Sequence, residues 1–481
     1  MAWNRKLARE RILKAYEEYK DLEVKPLTRE MDLRNLARNQ ARIVTGVHLY
    51  LDPVNFFTHL KEAREDKAKL KKLLRHIHVY QRLLSWVLED YDGGQRVHFQ
   101  GGRLHAVFYK PYDTTDVSEP DVARLAAAVQ FVSQARELAE LLTVETGYLF
   151  ELEAGLECGE AIATMNGRVR SSELLFIGSP ANDAAKLLTG KAGIRYGANA
   201  GQLRAKLPKP EPLPERYKNM VKNDVAENPI ERFDVFSPEV ALDFDALGTR
   251  TADMQPGVTL YGDISGFTKH IAGLNTEDEK REALRAFHAA RSEMHHVVVA
   301  DYDGDFIQFQ GDRIQGLFYA AKSSGRYASK VIEAAAAMQD AFAICREVLP
   351  GFAKLGMACG AAAGRVFVTQ VGIKGDRELL VLGQSVVRAS QLQDAMGAGL
   401  TAINARLWEL LEKDIQERFK AMVGNEDAYM AQFSMNFIEA LDAAKVYTGR
   451  VRIEGSPSVS ARVVSEPAAG IQPAKSWCNA K

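Results

Sequence analysis

Apolar and polar positions alternate on both sides of a Gly-Asp turn in FIQFQGDRIQGLFY, residues 306–319, which predicts a β-hairpin. LYGDI, residues 260–264, reads as a short apolar strand that ends in polar residues. The stretch from Glu277 to Tyr302 has apolar residues at helical spacing and acidic residues in its first turn. SKVIEAAAAMQDAFAICREVL, from Ser329, predicts an Ala-rich amphipathic helix. Strands and helices mix without the regular alternation of a doubly wound sheet, so an α+β sandwich is expected rather than a Rossmann fold.

The same pattern occurs twice. LYLDPVNFFTHL begins at Leu49 and LYGDISGFTKHI at Leu260. DYDGGQRVHFQGGRLHAVFY, from Asp90, matches DYDGDFIQFQGDRIQGLFY, from Asp301; GLECG at Gly155 is paired with GMACG at Gly356. Asp52 lies 50 residues before Gly102, and Asp263 lies 49 before Asp312. Matching blocks in one order at one spacing mark an internal repeat. Two copies of one domain, 43–238 and 256–455, are therefore expected, each close to βααβββαβ. An N-terminal helical segment (1–42), a linker (239–255) and a Ser/Pro/Ala-rich tail (456–481) complete the division.

Composition narrows the class. The chain has 481 residues, 46% hydrophobic and 26% charged, which fits a globular enzyme of two to four domains. Lys+Arg is 62 and Asp+Glu 63, so a global polycation for nucleic acid is excluded. The cysteines, Cys158, Cys345, Cys359 and Cys478, form no CxxC pair, which argues against structural zinc and disulfides. The charged start lacks a signal-peptide core, and no long apolar run occurs, so a cytoplasmic protein is expected.

The second copy carries the candidate chemistry. Asp263 ends a strand and Asp312 sits at a hairpin tip, so neighbouring strands would bring their carboxylates to one sheet edge. Two carboxylates without histidine or cysteine suit Mg²⁺ or Mn²⁺. The turn Ile264-Ser265-Gly266-Phe267-Thr268 can offer backbone N–H groups to phosphate oxygens. Each aspartate alone also fits ordinary turn chemistry. Metals beside a phosphate cradle indicate phosphoryl or nucleotidyl transfer.

DISGFT, then FQGDRIQGLFY, then GMACGAAAGRV, resembles the catalytic domain of the class III nucleotide cyclases. The resemblance spans about 400 residues and implies two tandem ferredoxin-like domains packed head to tail as a pseudo-heterodimer, with the active site between them. It also implies that Asp263, Asp312 and the Ile264 carbonyl hold two ions, Mn²⁺ or Mg²⁺. Arg365, in the GRV run, would contact phosphate, although a salt-bridging arginine fits as well. The family's transition-state motif, G-x-x-x-N-x-x-x-R, has its match at Gly178, Asn182 and Lys186 in the first copy. Lysine replaces arginine there, which keeps the charge and loses the planar fork. Asn182 as a helix N-cap is the plainer alternative. The second copy has Val387 and Gln391 instead, whereas the first copy has Gly102 in place of Asp312. This complementary loss implies one competent site and one degenerate one.

By the same resemblance, His98 and Leu175 occupy the base-selecting positions and Tyr50 walls the pocket; neither purine code is present. Tyr50 and His98 could serve uracil's carbonyls and N–H, although both also fit a core tyrosine and a hairpin histidine. The chain is similar to the Pycsar family of bacterial pyrimidine cyclases, above all its tandem-domain uridylate cyclases. That likeness implies UTP as substrate, cyclic UMP as product, antiphage defence, and a separate effector activated by the cyclic nucleotide. The alternatives are a cytidylate, adenylate or guanylate cyclase, a nucleotide-sensing pseudo-cyclase, and a polymerase-like nucleotidyltransferase. A monomeric pseudodimer and a homodimer are both open.

Overall fold

The computed structural model describes residues 3–31, 33, 36–113, 118–166, 173–323, 325–373 and 376–435. The expected tail, the last part of the second copy (436–455) and Cys478 lie outside the described residues. The other three cysteines are buried and unpaired. Among the described residues no helix is long and apolar enough to cross a membrane.

Two sheets repeat one plan. The first contains β1 (Glu23–Pro26), β2 (Gln40–Pro53), β3 (Gly94–Gln100), β4 (Arg103–Phe108), β5 (Leu152–Asn166), β6 (Glu173–Ile177) and β7 (Gly193–Tyr196). Its order is β3-β4-β2-β5-β6, with β1 on β2 and β7 on β5. The second contains β8 (Asp234–Phe236), β9 (Arg250–Ser265), β10 (Asp305–Gln310), β11 (Arg313–Tyr319), β12 (Gly356–Ile373), β13 (Asp376–Leu382), β14 (Thr401–Asn404), β15 (Lys420–Met422) and β16 (Asn425–Ala431). Its order is β10-β11-β9-β12-β14-β16-β15, with β8 on β9 and β13 on β12. The parallel pairs β1–β2 and β5–β7 recur as β8–β9 and β12–β14.

Long helices cover one face of each sheet: Lys67–Glu89 and Pro120–Thr146 in the first half, Glu277–His296 and Tyr327–Val348 in the second. Two large apolar clusters result, and each crosses the boundary. Phe367, Val371, Leu380 and Leu382, from the far ends of β12 and β13, are buried in the first half's cluster. Ile162, Leu175 and Ile177, from β5 and β6, are buried in the second half's. The exchange is reciprocal, so apolar burial fixes the two sheets against each other.

Three sequence expectations are corrected. The segment 1–42 is not simply helical: after the helix Arg5–Glu18 it supplies β1 and the start of β2. That helix packs on the second half through Ala8, Ile12 and Ala15, and Arg11 Nε donates to Glu293 at 2.8 Å. The boundary near 238 and the linker 239–255 also shift. β8 is paired into the second sheet and β9 begins at Arg250, because β8 lies parallel to the start of β9 and that start is itself paired antiparallel with β12.

The third correction concerns register. Gly155 lies opposite Tyr50, but opposite Tyr261 lies Gly360, not Gly356. The helices that follow confirm the shift: they are capped by Gly178 and Gly383, each 23 residues after Gly155 and Gly360. A side chain at Gly155 would run into the Ala184 carbonyl, and one at Gly360 into the Ala389 carbonyl and the Gln393 amide. Both helices sit directly on strand backbone, and only glycine permits it.

Gly360→Ala should therefore destabilise the fold by about 1–3 kcal/mol. Thermal unfolding reads this; an unchanged midpoint would mean that the helix Gln384–Asp394 does not seat on this residue.

Candidate functional site between the two sheets

A cleft of about 480 Å³ lies between the halves. From the first half it is lined by Tyr50, His98, Asn182 and Lys186; from the second by Asp263, Ile264, Ser265, Gly266, Phe267, Thr268 and Asp312. These eleven expected residues share one cavity although they are up to 262 positions apart (Tyr50 to Asp312).

The carboxylates converge because of strand register. Asp263 on β9 pairs with Arg313 on β11, and Asp312 is the turn residue just before Arg313. Asp263 Oδ2 accepts from Gln393 Nε2 at 3.3 Å, while Oδ1 is buried with no hydrogen-bond partner. A buried carboxylate oxygen without a donor is costly unless a cation meets it. Arg313 does not close the site as a clamp on that oxygen; its guanidinium reaches Ser390 Oγ at 2.8 Å, Gln393 Oε1 at 3.2 Å and Gln310 Oε1 at 2.6 Å. Two cleft-lining carboxylates and the Ile264 carbonyl would offer oxygen donors of the kind that suit a hard divalent ion. Among the described residues no group of three or more His, Cys, Asp and Glu side chains gathers to hold a metal, in this cleft or outside it.

The first half has lost this arrangement. Arg103 Nη2 donates to Asp52 Oδ2 at 2.6 Å, so the equivalent carboxylate is already neutralised. A Cβ on Gly102 would lie 2.6 Å from Pro53 Cγ. Pro53 therefore blocks a second aspartate at that turn.

The DISGFT turn is held from below. Gly266 has φ +88° and starts the short helix Phe267–Ala272. Phe267 is 2% exposed and stacks on Phe287 with centroids 4.3 Å apart. Its side chain belongs to the core, so its contribution to the cleft is backbone. Thr268 Oγ1 accepts from Asn182 Nδ2 at 2.5 Å, a hydrogen bond between the halves. Asn182 is not a cap: the N-cap of Ser179–Lys186 is Gly178. Lys186, one turn on, is exposed and lies 3.1 Å from Asp183.

Arg365 is a correction. It is absent from the cleft lining. Its Nε and Nη2 grip both oxygens of Asp253 at 2.9 and 2.7 Å, and Nη1 reaches Glu65 at 3.1 Å. The planar fork is used up on carboxylates, one of them in the other half.

Tyr50, His98 and Leu175 also line the cleft. Burial lowers His98 to about 4 and raises Tyr50 to about 12, so both are neutral at pH 7 and each can donate one hydrogen bond. Gln100 Nε2 lies 2.9 Å from His98 Nε2. Sequence reasoning missed Arg103, His105, Arg313 and Gln393 in the lining. The arginine that follows the turn in both FQGGR and FQGDR was a visible signal for two of them.

No family model matches the chain. It is 28% identical to a uridylate cyclase of Pseudomonas aeruginosa, covering 87% of this chain and 88% of that protein. It is also 28% identical to a uridylate cyclase of a Rhizobium species, covering 76% and 78%. The fold matches the crystal structure of a class III adenylyl cyclase-like ATP-binding protein from Pseudomonas aeruginosa. There the TM-score is 0.76 at 26% identity, over 92% of this chain and all of that one.

The unpartnered Asp263 oxygen makes a metal prediction that does not depend on turnover. Millimolar Mn²⁺ should raise the thermal midpoint of the protein, by an amount equivalent to about 2.7 kcal/mol at a hundred times Kd. Asp263→Ala should keep the metal-free midpoint and lose the increase. An equal increase in the variant would place the ions elsewhere.

Proposed function

We propose that the chain, by sequence and fold an enzyme of the class III nucleotide cyclase kind, converts UTP to 3′,5′-cyclic UMP and pyrophosphate. The observation that carries this is the division of one cleft: metal-type carboxylates from the second half, and Asn182, Lys186 and a neutral Tyr50–His98 wall from the first. The likeness to two uridylate cyclases over most of their length supports the choice of base. The two halves are read as tandem ferredoxin-like domains, packed head to tail as a pseudo-heterodimer within one chain.

In the reaction, the ribose 3′-hydroxyl gives up its proton to water and its oxygen forms a bond to the α-phosphorus, as the bond from that phosphorus to the oxygen shared with the β-phosphate breaks and pyrophosphate leaves. Asp263, Asp312 and the Ile264 carbonyl would hold two divalent ions, Mn²⁺ or Mg²⁺. Such ions would supply Lewis acidity that lowers the pKa of the 3′-hydroxyl and positive charge that offsets the leaving pyrophosphate. Backbone N–H groups of Ser265, Gly266, Phe267 and Thr268 cradle the phosphates. Lys186 adds a positive charge as charge moves onto the leaving group. Asn182 holds the ribose, and its 2.5 Å bond to Thr268 ties it to the cradle. Tyr50 and His98 donate to the two carbonyl oxygens of uracil. Cyclic UMP then acts as the second messenger of an antiphage system, through a separate effector.

Incubation with each nucleoside triphosphate and Mn²⁺, with the products resolved by chromatography, should give cyclic UMP from UTP alone. Predominant cAMP or cGMP would overturn the base assignment, and absence of any cyclic product would leave a nucleotide-sensing module. Asp312→Ala and Asn182→Ala should each lower kcat at least about a hundredfold. Only Asn182→Ala should retain the Mn²⁺ stabilisation.

A further inference from the structure

His105 lies opposite Tyr50 across β2 and β4. The two rings stack with centroids 4.3 Å apart and planes 10° from parallel. His105 is 2% exposed and still forms part of the cleft wall. Behind it, His48 Nδ1 lies 3.2 Å from His105 Nε2. The His98 ring meets His105 edge-on at 5.2 Å. This part of the cleft lining is therefore a clamped set of rings.

The second half shows that the fold does not demand this. Tyr261 occupies the register of Tyr50, but its partner is Gln315. Gln315 accepts from Gln308 at 3.1 Å, and the Arg313 guanidinium lies 4.6 Å from the Tyr261 ring centroid. A tyrosine is thus present in both halves, and only its partner distinguishes them. The imidazoles are also expensive. His105 Nδ1 and His48 Nε2 are buried without hydrogen-bond partners, and a buried polar atom left unpaired destabilises the fold. Burial keeps His48 near 3 and His105 well below the usual histidine range, so neither ring is charged. Costly groups retained in a cleft wall, where the sister half uses glutamine, point to function rather than packing.

We propose that His105 determines the size of the base: held between Tyr50 and His48, its ring is a rigid wall that admits one six-membered ring and excludes the second ring of a purine. This deepens the UTP reading and rests on it. A flexible side chain in the same place would yield to a larger base, whereas a clamped ring would not.

His105→Gln is the direct test, because glutamine already occupies the equivalent position of the other half. The ratio of kcat/KM for UTP to that for ATP should fall about tenfold or more, with the thermal midpoint kept. His105→Phe preserves the ring and loses the nitrogens; it should keep the ratio within about threefold of wild type. The proposal is falsified if His105→Gln, in an enzyme that makes cyclic UMP, leaves the ratio unchanged. Equal relaxation in His105→Phe would also overturn it, since size would then not be the cause. Predominant cAMP from the unaltered protein is a different failure, because it sinks the UTP reading itself.

Discussion

The exchange of strand ends between the halves is the constraint on which the rest depends. Phe367, Val371, Leu380 and Leu382 are buried in the first half's core, and Ile162, Leu175 and Ile177 in the second's. Neither sheet can slide without exposing apolar side chains to water. Leu175 belongs to both arguments: it is buried in the partner core and lines the cleft. The residues that fix the halves therefore also shape the cleft between them.

Within that frame, one position has two fates. Asp52 and Asp263 end equivalent strands, and an arginine follows the neighbouring turn in each half. In the first half Arg103 binds Asp52 directly. In the second, Ser390, Gln393 and Gln310 engage Arg313, and one oxygen of Asp263 is left unsatisfied. The arginine is kept in both halves, but in the second its ion pair is with Asp394 at 3.6 Å, and Asp263 Oδ1 is left without a hydrogen bond. The helix Gln384–Asp394 supplies two of those partners, Ser390 and Gln393, and it can do so because it rests on Gly360.

Local chemistry was legible in the sequence, and long-range pairing was not. DISGFT and the hairpin aspartate announced the carboxylate pair, because strand ends and tight turns are set by adjacent residues. The glycine register was misread because glycines recur every four residues, at 356, 360 and 364. Two alignments then look equally good, and only the helix seated on the strand decides between them. Arg365 was misplaced for a related reason: its partner Asp253 is 112 positions away, so the fork's occupation leaves no local trace. β8 joins the second sheet by a parallel pairing that periodicity cannot report. His105 went unnoticed because its meaning lies in what faces it, Tyr50 on one strand and the contrast with Gln315 in the other half.

Positioning across a shared cleft requires precision that side chains alone do not give. A displacement of about 1 Å at the reacting atoms can cost a hundredfold in rate. Asn182 and the DISGFT turn come from different sheets, so their separation sums every error between them. The structure shortens that chain of errors at both ends. The helix bearing Asn182 sits on bare backbone at Gly155, and the turn is pinned by the Phe267–Phe287 stack. What remains is one gap, and the Asn182–Thr268 hydrogen bond spans it. Thr268 thereby does more than line the cleft. It sets where the asparagine stands, and the accuracy of the site is inherited from contacts that involve no substrate at all.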